Sequence, residues 1–110
     1  LEPARKKAEL LGIKPENIEE YEKLHAEAWP GVLKKIEECN IKNYSIYRYN
    51  NTLFAYFEYH GDDFDADMAK MAADETTQKW WDICMPMQNP VEDRAEGEWW
   101  KTLKEVFHTD

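Results

Sequence analysis

Glycine is scarce in this chain: it occurs at positions 12, 31, 61 and 97, and none of these forms a phosphate-cradling loop. Nucleotide-phosphate chemistry of that type is therefore excluded. Basic residues are also few, with 14 Lys and Arg against 23 Asp and Glu and a formal net charge of −9. Nucleic acid and anionic membrane both call for a basic surface, so neither is an expected partner. The two cysteines, Cys39 and Cys84, form no CxxC pair, and the histidines at 25, 60 and 108 lack metal-ligand spacing. No metal site is expected. No serine elbow or Cys/His nucleophile signature occurs either. Nothing resembles a signal peptide, and no apolar run reaches transmembrane length. With two free, buried thiols as the default state, a reducing cytoplasm is the expected location.

Aromatic residues, by contrast, are plentiful. Five Trp, six Tyr and four Phe in 110 residues imply a stacking pocket, a large interface, or both. Tyr21, His25 and Trp29 recur every four residues. On a helix that step passes a full turn by about 40°, so the three lie along one face. Ile18 extends the face on one side, and Val32 and Ile36 on the other. A lone histidine on such a stripe is more often a satisfied core residue, because a buried ring nitrogen needs a partner. Here its neighbours are aromatic and polar-tipped, and the stripe reads as a pocket wall.

The length suits a single α+β domain over residues 1–110, with residues 1–5 expected to be disordered because Leu1–Ala4 carry no pattern. Leu10, Leu11 and Ile13 suggest a first strand over residues 6–14, although a helix from Pro3 to Leu11 is also open. A helix is expected from Pro15 to Glu38, kinked or briefly broken at Pro30, with Asn40 as an αL stop. Ile41 to Tyr49 and Thr52 to Tyr59 read as strands of a hairpin turning at Asn50-Asn51. Both faces of the second strand are largely apolar, so a second cover is needed, and another subunit's sheet would supply it. Asp62 or Asp63 caps a helix carrying Phe64, Met68 and Met71, and Asp74 caps another from Glu75 to about Cys84. Residues 85–97 read as loop, and Leu103 to His108 as the last strand. The order β-α-β-β-α-β suggests a ferredoxin-like sandwich assembled as a dimeric α+β barrel.

Adjacent tryptophans on a helix point about 100° apart, so Trp80 and Trp81 cannot share a face. One fills the core. The other meets solvent, a partner or a ligand, and an indole face suits the C–H face of a sugar. Trp99 and Trp100 raise the same question, at an interface or a pocket rim. Tyr44 shares a strand face with Ile46, opposite Asn43, Ser45 and Tyr47. It gains interest if that face looks toward the helix holding His25. One acid–base candidate among hydroxyls and aromatics suits proton transfer on a neutral, polyhydroxylated substrate without a cofactor.

The chain resembles the L-rhamnose mutarotase family. The shared pieces are Tyr21-x-x-x-His25, Trp29-Pro30, Asn43-Tyr44-x-Ile46-Tyr47, Gln78-Lys79-Trp80-Trp81, Met85 with Asn89-Pro90, and Glu105-Val106-Phe107-His108. They span roughly Ile13 to the C-terminus in the family's order. The family usually has Arg at position 79, and larger apolar or aromatic residues where Lys7 and Glu9 stand. The resemblance implies a homodimeric, cofactor-free isomerase of bacterial sugar catabolism that interconverts the anomers of L-rhamnose or a close 6-deoxy-hexose. It implies His25 as the catalytic proton donor, and Tyr21, Tyr44, Trp80 and Trp81 as sugar contacts. The complementary base is not identified by the sequence. Two other readings share parts of this pattern: a cofactor-free monooxygenase on the same barrel, and a non-catalytic sugar-binding module that would not need His25.

Overall fold

The computed structural model describes residues 5–110. The expectation for Leu1–Ala4 lies outside the described residues, while Arg5, expected to be disordered, opens the first strand. In chain order the elements are β1 (Arg5–Ile13), a 3-10 turn (Pro15–Asn17), α1 (Ile18–Ala26), α2 (Pro30–Glu38), β2 (Ile41–Tyr49) and β3 (Thr52–Tyr59). They continue with α3 (Phe64–Ala72), α4 (Glu75–Cys84), a second 3-10 turn (Met85–Met87), β4 (Gln88–Asn89) and β5 (Lys101–Thr102).

The long helix expected from Pro15 to Glu38 is three pieces. Trp29 takes an extended conformation, as a residue before proline prefers, and Pro30 starts α2 at a position where no N–H is needed. The Trp29 carbonyl then accepts from the Val32 and Leu33 N–H groups. Asn40 ends the helical run at φ +65°, and Asp63 and Asp74 cap α3 and α4 by accepting from Ala66 and Thr77 N–H.

All sheet pairings are antiparallel, in the order β2-β3-β1-β4, with β5 also on β1. Asn50 at φ +52° turns the hairpin, leaving Tyr49 opposite Thr52. A bulge between Lys42 and Ser45, with Asn43 at φ +50°, shifts the phase of β2. Ile41 before the bulge and Ile46 after it therefore both face the helices.

The last strand differs from expectation. Leu103 to His108 carry no strand; the β1 edge is paired instead by Gln88–Asn89 and by Lys101–Thr102. Two indoles set this register. Trp99 and Trp100 pack on the core, so the chain next to them is what reaches β1. Gly12 permits the close approach of β4, since a Cβ there would collide with the Asn89 carbonyl. Beyond Thr102, Leu103 N–H still donates to the Ala8 carbonyl, and the tail then runs exposed, with Val106 88% and Phe107 79% accessible.

The helix-covered face of the sheet holds two apolar clusters. One joins Leu11, Ile13 and Leu53 to Tyr21, Val32, Trp80 and Cys84; the other joins Ile41, Phe57 and Tyr59 to Phe64, Met68 and Met71. Ala55, buried between Leu53 and Phe57 on β3, belongs to neither cluster, and its partner on β1 is Glu9. The core is thus interrupted by a small residue facing a charged one. The opposite sheet face exposes Tyr47, Tyr49 and Phe54. In the first cluster Ile13 is fully enclosed. Ile13→Val is expected to cost about 1 kcal/mol, read as a lower urea midpoint at unchanged slope.

Candidate active site

Helix α1 stacks Tyr21 and His25 one turn apart, with ring centroids 4.1 Å apart and planes 26° from parallel. The edge contact of Trp80 from α4 closes the other side of the imidazole at 5.0 Å. Trp29 in turn braces Trp80 at 5.1 Å. His25 Nδ1 lies 2.9 Å from the Tyr21 carbonyl, which can only accept. Nδ1 therefore carries the proton, and in the neutral ring Nε2 is left as the acceptor. Burial holds the imidazole pKa below its ordinary 6.5, partly offset by the bond to the carbonyl. At neutral pH the ring is an uncharged base with a fixed tautomer.

The Tyr21 hydroxyl oxygen is held by Gln88, a residue that no local pattern singles out. Gln88 Nε2 donates to Tyr21 Oη at 3.1 Å, and Gln88 Oε1 accepts from Trp99 Nε1 at 2.8 Å. Gln88 lies in a stretch read as loop, and only its burial between two distant aromatics reveals it. Since the amide donates to the phenol oxygen, the Tyr21 O–H proton is free to point elsewhere. Burial pushes its pKa up to about 12, so it stays a donor. Cys84, beneath, is pushed up to about 11 by burial and is a thiol rather than a nucleophile.

The β2 bulge turns Tyr44 toward the helices, edge-on to Phe57 at 5.7 Å between centroids. The residue as a whole is 41% exposed on the edge strand. Desolvation raises its pKa, and the Glu9 carboxylate adds to the rise. Tyr44 thus shares the helix-facing side with Tyr21, as its pairing with Ile46 on one face anticipates. The two α4 tryptophans diverge: Trp80 is buried at 6% and Trp81 stands 36% exposed. So the structure gathers Tyr21, His25 and Trp80 in direct contact, brings Tyr44 in from the sheet, and leaves Trp81 outside that cluster. Two open surface hollows, around Asn51 and Asn89 and along residues 92–99, include none of these five residues.

A five-stranded antiparallel sheet with helices on one face and an open aromatic face on the other is the half-barrel of dimeric α+β-barrel proteins, here with a half-buried imidazole on the first helix. The chain shares this fold with a solved L-rhamnose mutarotase from Formosa agariphila, at a TM-score of 0.75 and 24% identity, covering 96% of this chain and 99% of that one. The tetracenomycin F2 cyclase of Streptomyces glaucescens also has it, at a TM-score of 0.67 and 17% identity, with 96% of each chain covered. In sequence, the L-rhamnose mutarotase of Oceanobacillus iheyensis is 32% identical over 108 residues, 96% of this chain and 99% of the relative. The family model for L-rhamnose mutarotase matches residues 6–109, and the chain belongs to that family.

Proposed function

We propose that the chain interconverts the α and β anomers of L-rhamnose, or of a close 6-deoxy-hexose, by opening and reclosing the pyranose ring. The observation that carries this reading is the His25 imidazole, with Nδ1 held by the Tyr21 carbonyl and Nε2 left open between Tyr21 and Trp80. Neutral Nε2 takes the proton of the anomeric hydroxyl O1 as the C1–O5 bond breaks and C1=O1 forms. The imidazolium then donates that proton to O5, released from C1 as an alkoxide and still beside the same nitrogen before the open chain rotates. After rotation about C1–C2 the O5 proton returns through His25 to O1 as the ring recloses. The balance is complete without a cofactor.

Tyr21 O–H, freed by the bond from Gln88, steadies a sugar oxygen as donor. Tyr44 supplies a second hydroxyl from the sheet. Trp80 walls the imidazole, and Trp81 covers the sugar from the exposed rim. The chain works as one mutarotase-like domain over residues 1–110, in the cytoplasm, within sugar catabolism. It works as a homodimer, because Tyr47, Tyr49 and Phe54 leave an aromatic sheet face that a second copy covers.

Polarimetry of freshly dissolved α-L-rhamnose tests the reaction: catalytic amounts of protein should speed the approach to equilibrium rotation well beyond the buffer rate. The pH dependence follows from the lowered imidazole pKa. Neutral His25 is the working base, so kcat/KM should fall on the acid side with a midpoint below 6.5 and stay level above it. A profile that instead falls as pH rises through neutrality would make the imidazolium the working form and overturn this assignment.

A further inference from the structure

We propose that Glu9 is a specificity-determining residue, whose carboxylate accepts hydrogen bonds from sugar hydroxyls remote from C1. The inference rests on the mutarotase reading for its orientation of the sugar. Glu9 sits in the inward row of β1 that continues as Leu11 and Ile13, the most deeply buried stretch of the sheet. A carboxylate in such a row costs free energy unless it is paired. Yet its side chain is only 13% exposed, and Lys7 Nζ stands 3.6 Å from Oε2, longer than a hydrogen bond. Among the described residues Lys7 is the one side chain paired with it. The carboxylate thus keeps acceptor positions that the fold leaves unused.

Opposite Glu9 stands Ala55, a smaller residue than Leu53 and Phe57 on either side, and the two apolar clusters part at this row. The position relative to the reacting end follows from Tyr44. Tyr44 meets Phe57, two residues beyond Ala55 on β3, while Leu11, the next inward residue of β1 after Glu9, packs in the cluster that holds Tyr21 and Trp80. The Glu9–Ala55 row therefore lies between the row under Tyr21 and the row that Tyr44 touches. A pyranose with C1 at His25 extends along the sheet from Tyr21 toward the carboxylate and Tyr44. His25 serves C1, and the role of Glu9 is to select hydroxyls at the other end, with Lys7 holding its charge. The chemistry it recognises is a neutral sugar bearing hydroxyls at that end. A larger apolar side chain at position 9 would instead favour C–H groups there.

The test combines sugar titration, read by tryptophan fluorescence, with anomer-exchange kinetics, on wild type, Glu9→Gln and Glu9→Leu, using L-rhamnose and its 2-, 3- and 4-deoxy analogues. Losing a charge-assisted hydrogen bond should raise Kd and KM for L-rhamnose about tenfold or more, with kcat within about twofold. For at least one deoxy sugar, wild type and variants should bind alike, because the missing hydroxyl is the one Glu9 holds. Glu9→Leu serves if Glu9→Gln misfolds. An unchanged Kd in a folded variant overturns the assignment, as does an equal loss on every sugar, which would mark a structural role. Binding without exchange by wild type would sink the mutarotase reading while leaving Glu9 standing. No binding by wild type overturns both.

Discussion

His25→Ala is expected to lower kcat for anomer exchange by about a hundredfold or more, the range that a positioned acid–base group contributes. Among the described residues the His25 imidazole alone meets three conditions together: a titration range near neutrality, a fixed tautomer, and a nitrogen left open between two aromatic walls. The fold should survive, because His25 is half-buried and its loss removes one hydrogen bond to a helix carbonyl. Stability should also change its pH dependence. The folded pKa lies below 6.5, so as pH falls through that value the unfolded chain takes up the proton first and the native state is destabilised. The alanine variant lacks this group's share of the acid loss. An unchanged exchange rate in folded His25→Ala would return the residue to an ordinary core role.

The second large effect is on stability. Trp80→Ala is expected to cost about 3–5 kcal/mol, measured as a lower urea midpoint. Trp80 is buried, meets both His25 and Trp29 edge-on, and joins the cluster that holds α4 to the sheet. Against a total stability of about 5–15 kcal/mol, this brings the variant close to unfolding. Trp81→Ala, one residue on but 36% exposed, should cost markedly less. Equal losses for the two tryptophans would contradict the placement of Trp80 alone in the core.

These two residues also show what was legible in the sequence. Tyr21 and His25 meet because they are one helical turn apart, and that spacing is visible in the chain. Asp63, Asp74, Asn40 and the Asn50 turn act on their own neighbours, so the elements they bound were also legible. The choice between Trp80 and Trp81 depends on which side of α4 the sheet lies, which no local pattern encodes. Gln88 is recruited by Tyr21 and Trp99 from both sides, at separations of 67 and 11 residues, and a two-residue strand has no periodicity to read. The expected strand at Leu103–His108 failed for the same reason, because its apolar residues lost to the Trp99 and Trp100 anchors just before it. Charges at Lys7 and Glu9 obscured β1, and they lie where the inward row of the strand passes the interruption in the core.

The most direct measurement of the central claim is saturation transfer between the two anomeric proton signals of L-rhamnose at equilibrium, with and without the folded protein. Saturating the α signal should attenuate the β signal in proportion to protein concentration, far above the buffer background, and His25→Ala should abolish most of the excess. Transfer no greater than in buffer, with protein shown to be folded, would contradict the account.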